Sequence, residues 1–286
     1  MTTVRPLSGA GAGAGAAHGA GAPPPPAPCP PTPVPVPAPR LPGAAGRGRA
    51  PVPDDLQIAG LVPMSTVDWP GELVASLFLQ GCPWACPYCQ NAAIIDPRVP
   101  GVVAWDAVER LLARRRGLLD GVVFSGGEAT RQIALAPAMR RVRELGFAVG
   151  LHTAGPYPAR LGALLDEGLV DWVGLDIKAT PVNYPAVAGR PGSGGRAWEA
   201  LRVLMDHPEV DHEVRLTVFP GGPDDGLEVA RAVRQAGARS FALQQARQTG
   251  TPDGFVARAP GWDDQVRALD RDIGALGFDA YEFRGA

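Results

Sequence analysis

Short apolar runs alternate with amphipathic stretches along most of the chain. The runs are LVASLFL (73–79), GVVFS (121–125), FAVGLH (147–152), DWVGLDI (171–177), HEVRLTV (212–218) and SFALQ (240–244). They have strand length and are rich in Val, Leu and Phe. Between them, WDAVERLLARRR, RQIALAPAMRRVREL, ARLGALLDEG, RAWEALRVLMD and LEVARAVRQAG place Leu, Val or Met at i, i+3, i+4 with Arg or Glu opposite. That is the period of a helix buried on one side. Strand alternating with helix predicts an α/β fold in which helices cover a parallel sheet. Six such units predict a partial, open β/α barrel of about six parallel strands. WDDQVRALDRDIGALG followed by FDAYEFRG then predicts one more helix and a short edge strand.

Residues 1–53 have another texture. GAGAGAAHGAGA gives way to PPPPAPCPPTPVPVPAP, and such repeats cannot bury enough apolar surface to offset their ordering entropy. The expected organisation is a disordered Gly/Ala/Pro-rich tail over 1–53 and a β/α barrel domain over 54–286. His18 and Cys29 fall in the tail and are expected to be bystanders. A formal net charge of −2 gives no general attraction to nucleic acid or an anionic membrane. No apolar run has the length of a membrane span, and no apolar signal core opens the chain, so a cytoplasmic location is expected. Of 27 basic residues only Lys178 is a lysine. In an arginine-rich chain two readings stand: a position that needs a compact ammonium and not a planar fork, or chance.

Polar groups collect where a β/α barrel places its chemistry, at the C-terminal ends of the strands. Gly126-Gly127-Glu128 follows the run at 121–125, Thr153-Ala154-Gly155 the run at 147–152, and Asp176-Ile177-Lys178 ends the run at 171–177. Arg215 lies inside the run at 212–218, where an unpaired charge is costly, and Gln244 and Gln245 end the last run. Directly after the first run, GCPWACPYCQN holds Cys82-x3-Cys86-x2-Cys89. Three thiolates suit a four-iron cluster that leaves one iron for an exogenous ligand. Structural zinc usually takes four ligands, and His152, His207 and His212 are scattered. A dithiol oxidoreductase would use Cys86 and Cys89 alone. From the residues, all three readings stand.

The CxxxCxxC spacing with an aromatic before its last cysteine, placed after the first strand of a β/α chain, resembles the radical S-adenosylmethionine (SAM) superfamily. STVDWPGELVASLFLQGCPWACPYCQN (65–91) is similar to the opening signature of glycyl-radical-enzyme activases. SGGEAT, LHTAG, DWVGLDIKA and VRLTVFP resemble the anaerobic ribonucleoside-triphosphate reductase activating proteins, over about residues 56–247. The resemblance implies an oxidoreductase that reductively cleaves SAM at one [4Fe–4S] cluster and leaves a glycyl radical on a partner enzyme. That partner would be the anaerobic ribonucleotide reductase, with flavodoxin or ferredoxin as electron donor. Cys82, Cys86 and Cys89 would hold the iron, Tyr88 would pack near the adenine, and Gly126, Gly127 and Glu128 would hold the methionyl amino group. Thr153, Asp176 and Lys178 would contact SAM, with Asp176 and Lys178 as the catalytic pair, and Arg215 would face either a SAM carboxylate, as part of the cofactor site, or an internal Asp or Glu.

In some such activases the Asp-x-Lys segment also helps hold a monovalent cation. Here that expectation is conditional, because His152 stands where an aspartate is often found. Ala129 and Gln90 also depart from the pattern, which commonly has proline and often has histidine at these places. No further cysteine lies between Cys89 and the run at 121–125, so additional ferredoxin-like clusters are not expected. Two alternatives remain beside this reading: a radical SAM enzyme with another protein, peptide or small-molecule substrate, and a zinc-stabilised binding protein.

Overall fold

The computed structural model describes residues 49–286. The tail expected over 1–53, with His18 and Cys29, lies outside the described residues except at 49–53. There Pro53–Asp55 makes a single 3-10 turn and Arg49 pairs with Asp55 at 2.7 Å.

One sheet organises the molecule. Its eight strands lie in chain order: β1 (Ile58–Ser65), β2 (Val74–Leu79), β3 (Gly121–Gly126), β4 (Ala148–Thr153), β5 (Trp172–Asp176), β6 (Asp211–Val218), β7 (Ser240–Gln245) and β8 (Ala280–Arg284). From β2 to β8 every neighbouring pair is parallel, and β1 runs antiparallel to β2. Because β1 and β8 are opposite edges, the sheet is an open partial barrel. The six sequence-predicted runs are β2 to β7, and FDAYEFRG supplies β8. β1 escaped the pattern because Pro63 interrupts it. A proline cannot donate to a ladder and is tolerated on an edge strand, and the β1–β2 register slips between Val62 and Ser65.

Seven helices connect the strands: α1 (Trp105–Arg114), α2 (Leu135–Glu144), α3 (Pro158–Asp166), α4 (Tyr184–Ala188), α5 (Ser193–Met205), α6 (Gly226–Gln235) and α7 (Trp262–Gly274). Each longer helix buries one stripe. On α5 that stripe is Ala197, Ala200, Leu201 and Leu204, spaced as helical periodicity requires. Alternation along the strands then separates two faces. Ala75, Leu77, Val122, Phe124, Val149, Leu151, Val173 and Leu175 join the main core under the helices.

The opposite, concave face holds a small apolar cluster of Trp69, Val74, Val123 and Trp172, packed against Ala148. Trp69 reaches it from the β1–β2 loop and stacks on Trp172, with ring centroids 5.5 Å apart. Gly121 and Gly150 make room for that indole, since a Cβ at either would meet it at 3.2 Å or less. Above this floor the concave face turns polar.

Candidate radical chemistry site

Immediately after β2 the chain passes through Gly81, at φ +95°, into the cysteine loop. Backbone bonds tether the loop at both ends: Gly81 N–H to Ile94 O (2.8 Å), Cys82 N–H to Ile95 O (2.9 Å) and Ala85 N–H to Ala188 O of α4 (3.0 Å). Cys82, Cys86 and Cys89 are free and partly buried. Burial pushes the Cys82 thiol up to about 12, opposed by a hydrogen bond from the Trp84 backbone. Cys86 and Cys89 rise for the same reason. In a bare pocket such thiols stay protonated; a bound metal centre reverses this, because its positive charge deprotonates a coordinating thiol. Among the described residues no trio of Cys, His, Asp or Glu side chains gathers tightly enough for one metal ion. The three thiols instead share a wall of one cavity.

That cavity has a volume of about 730 Å³, within the range of small-molecule and cofactor sites. It brings together Cys82, Cys86, Cys89, Tyr88, Gly126, Gly127, Thr153, Asp176, Lys178, Arg215, Gln244 and Gln245. All twelve were candidates from the sequence; Glu128 is the predicted site residue that does not line the cavity. Its side chain is 1% exposed, and its carboxylate is fully engaged behind the wall. Oε1 accepts from Thr130 N–H (3.0 Å), Thr130 Oγ1 and Thr153 Oγ1 (2.8 Å), and Oε2 accepts from Ala154 N–H (3.0 Å). Burial raises the Glu128 pKa and these donors oppose the rise.

The paired glycines serve a close approach of backbone to backbone. A Cβ on Gly126 would lie 2.1 Å from Leu79 N, and one on Gly127 would lie 2.5 Å from Gly81 O. Gly127 N–H donates to Leu79 O and Glu128 N–H to Gly81 O, both at 2.9 Å. The turn after β3 is thereby fastened to the cysteine loop.

On the other side, Asp176 sits between two cations. Lys178 Nζ lies 3.0 Å from its Oδ2, and Arg215 Nε donates to its Oδ1 at 2.8 Å. Burial alone would raise the Asp176 pKa, but the two positive charges outweigh it and hold the carboxyl well below the usual range. Burial would likewise lower Lys178; the Asp176 charge prevails and keeps it ammonium. Its Nζ lies 5.5 Å from the Tyr88 ring centroid, within cation–π range. The Tyr88 hydroxyl is buried with no hydrogen-bond partner. An orphaned hydroxyl is costly unless something polar completes it, so the pocket fits a polar ligand in contact with this wall. The donor set fits an iron–sulfur cluster equally: three soft thiolates, with no fourth protein ligand gathered beside them among the described residues.

Asp68, Ser76, Ser125 and Tyr184 were not singled out from the sequence as site residues, and His152 was noted only as a departure at the conditional cation site. Asp68, in the β1–β2 loop, lines the cavity and accepts from Ser76 Oγ at 2.5 Å. His152 Nε2 lies 2.6 Å from the Asp68 carbonyl oxygen, and its Nδ1 lies 3.2 Å from Ser125 Oγ. This fixes the tautomer: Nε2–H donates to the carbonyl and Nδ1 accepts from the serine. Burial, then the Arg215 charge, lowers the His152 pKa to about 3, so the ring is neutral. Tyr184 of α4 donates to the Asp176 carbonyl oxygen at 3.1 Å. The VDWPG stretch was the available signal for Asp68. Ser76 and Ser125 had their signal in strand parity, which puts them on the concave face.

The profile of the Radical SAM superfamily matches residues 76–233. A Methanocaldococcus jannaschii protein provisionally assigned as a glycyl-radical enzyme activating enzyme is 34% identical over 197 residues, 66% of this chain and 79% of that one. The pyruvate formate-lyase 2-activating enzyme of Escherichia coli is 28% identical over 186 residues, 51% of this chain and 61% of that one. Among solved structures, TYW1 with a lysine-pyruvate adduct bound superposes with a TM-score of 0.52 at 14% identity, over 71% of this chain and 73% of that one. Streptococcus suis SuiB bound to S-adenosylmethionine gives 0.55 at 12%, over 72% and 48%. At these identities the two structures speak for the fold.

Proposed function

Because this chain belongs to the radical SAM superfamily, whose members use a [4Fe–4S] cluster and SAM, we propose that it activates a glycyl-radical enzyme. One observation carries the reading. The VDWPG loop, through Thr66, Val67, Asp68 and Pro70, lines the same cavity as the three cysteines and the Asp176–Lys178–Arg215 group. Two relatives with activase assignments are 34% and 28% identical to this chain over 197 and 186 residues. When bound, the cluster and SAM supply reductive cleavage of the sulfonium and a 5′-deoxyadenosyl radical able to take a hydrogen atom from a partner's glycine.

The chain's own residues bind, orient and exclude water. Cys82, Cys86 and Cys89 hold the cluster, and the tethers to residues 94–95 and α4 fix their loop. Gly126 and Gly127 lock the neighbouring turn onto that loop. Glu128 acts from behind the wall, accepting from Thr153 Oγ1 and the Ala154 amide and so holding the turn after β4 in place. Lys178 offers an ammonium to a ligand carboxylate while Asp176 keeps it in place. Tyr88 supplies an aromatic face and an unsatisfied hydroxyl. Phe219 packs against the Tyr88 ring with centroids 4.9 Å apart and shields that side from water. The open span between β1 and β8 leaves room for a partner loop, and Val67, 79% exposed, offers an apolar contact at its rim.

The catalytic domain is residues 54–286, the partner the anaerobic ribonucleotide reductase, and the reductant a flavodoxin or ferredoxin. The activity is that of a cytoplasmic oxidoreductase; no helix of the described residues is long and apolar enough to cross a membrane. Anaerobic mixing of the reduced protein with SAM and an anaerobic ribonucleotide reductase should give the EPR doublet of a glycyl radical. SAM cleavage without that doublet, for any glycyl-radical enzyme offered, overturns the activase reading.

A further inference from the structure

The concave face of β4, β5 and β6 holds a group of contacts at odds with the conditional expectation of a monovalent cation. An alkali ion is a hard cation that needs several oxygen ligands. Here the oxygens are already taken. Both carboxylate oxygens of Asp176 face side-chain cations, Oδ1 to Arg215 Nε and Oδ2 to Lys178 Nζ. The Gly174 carbonyl oxygen accepts from Arg215 Nη2 at 3.2 Å. The third arm of the fork, Nη1, lies 3.3 Å from His152 Nε2, a neutral ring nitrogen whose own hydrogen is directed at the Asp68 carbonyl. His152 therefore brings no negative charge to this corner.

Glycine at 174 is part of the same arrangement. A Cβ there would lie 2.9 Å from Arg215 Nη1 and 3.0 Å from its Cζ, so this strand position leaves the space that the guanidinium plane fills. One carboxylate, Asp176, is set against two cations, Lys178 and Arg215. A further positive charge would meet repulsion and no free oxygen among these groups.

We infer that Arg215 is a built-in cation: its guanidinium permanently occupies the corner bounded by Asp176, Gly174 and His152, and the protein works without an alkali ion. A guanidinium suits this task because its planar fork serves a carboxylate and a carbonyl at once, which an ammonium cannot do with the same geometry. Arg215 is thus a positioning residue that orients Asp176, and through it Lys178. The inference rests on the reading of this cavity as the SAM site, whereas its first test does not.

Reconstituted protein without SAM is titrated with thallous ion and followed by ²⁰⁵Tl NMR. The expected result is no saturable, potassium-competed site. Such a site in the wild-type protein, abolished by Asp176→Asn, overturns the inference. Calorimetric SAM affinity is then compared in NaCl, KCl and choline chloride at equal ionic strength, and should agree within about twofold. A stronger dependence also overturns the inference.

The double variant His152→Asp/Arg215→Gln restores a carboxylate and removes the guanidinium. It should gain the thallous site and bind SAM at least about tenfold tighter in KCl than in choline chloride. A folded double variant indifferent to potassium contradicts the assignment; if it does not fold, the two wild-type measurements decide. Wild-type protein that binds neither thallous ion nor SAM refutes the SAM-site reading and upholds the exclusion of the ion.

Discussion

His152 shows how one residue links the floor of the cavity to its polar wall. Its neutral ring receives a hydrogen bond from Ser125 and donates one to the Asp68 carbonyl, which pins the β1–β2 loop against β4. Its ordinary pKa of 6.5 falls to about 3 in the folded state. Between these values the unfolded chain binds a proton that the folded chain does not, so stability rises with pH there and is lost as pH falls from 6.5 toward 3. The slope is at most about 1.4 kcal/mol per pH unit for one proton. Urea unfolding of wild type and His152→Gln between pH 7 and pH 4 should show a steeper acid loss in wild type by roughly that amount per unit. Parallel curves would mean that the imidazole is not held neutral.

The cysteines and the Asp-x-Lys pair were legible in the sequence because their spacing is local. Glu128 was named from the sequence too, but its engagement behind the cavity wall was not legible, because its partners Thr153 and Ala154 lie on another strand–helix junction, 25 and 26 residues away. Only the register of β3 against β4 brings them to it.

At the scale of elements, the six central strands announced themselves through apolar runs because both of their faces are largely covered. β1 did not, since an edge strand carrying Pro63 loses the continuous apolar signature. α4 is a five-residue helix, too short to display a period. Its Tyr184 is nonetheless fully buried, meets Trp84 edge to face and supports the Asp176 carbonyl.

The VDWPG loop is the element whose importance the fold adds. Trp69 plugs the concave face, stacked on Trp172 and seated over two glycines. Removing a buried indole of this kind costs about 3–5 kcal/mol. Trp69→Ala should therefore lower the denaturation midpoint by the equivalent of that energy and loosen the loop that carries Asp68. A loss below about 1 kcal/mol would show that Trp69 is not a structural plug.

For the whole molecule, the open sheet joins two demands that a closed barrel would set against each other. Its cavity is walled by the cysteine loop and the Asp176 group, while the sheet stays open between β1 and β8. The alternating pattern foretold the architecture, and strand order made the site. β2, β3, β4, β5 and β6 are consecutive neighbours, so groups from 82 to 215 meet at one end of the sheet.

The central claim is that three thiols and the facing polar wall are one site for a cluster and SAM. Its most direct test is to reconstitute the protein with iron and sulfide without air, add dithionite and SAM, and measure 5′-deoxyadenosine by chromatography. Wild type should carry about four irons and four sulfides per chain and release 5′-deoxyadenosine, and Cys82→Ala should do neither. Wild-type protein that binds a single metal ion without sulfide, or a Cys82→Ala variant that cleaves SAM as well as wild type, would contradict it.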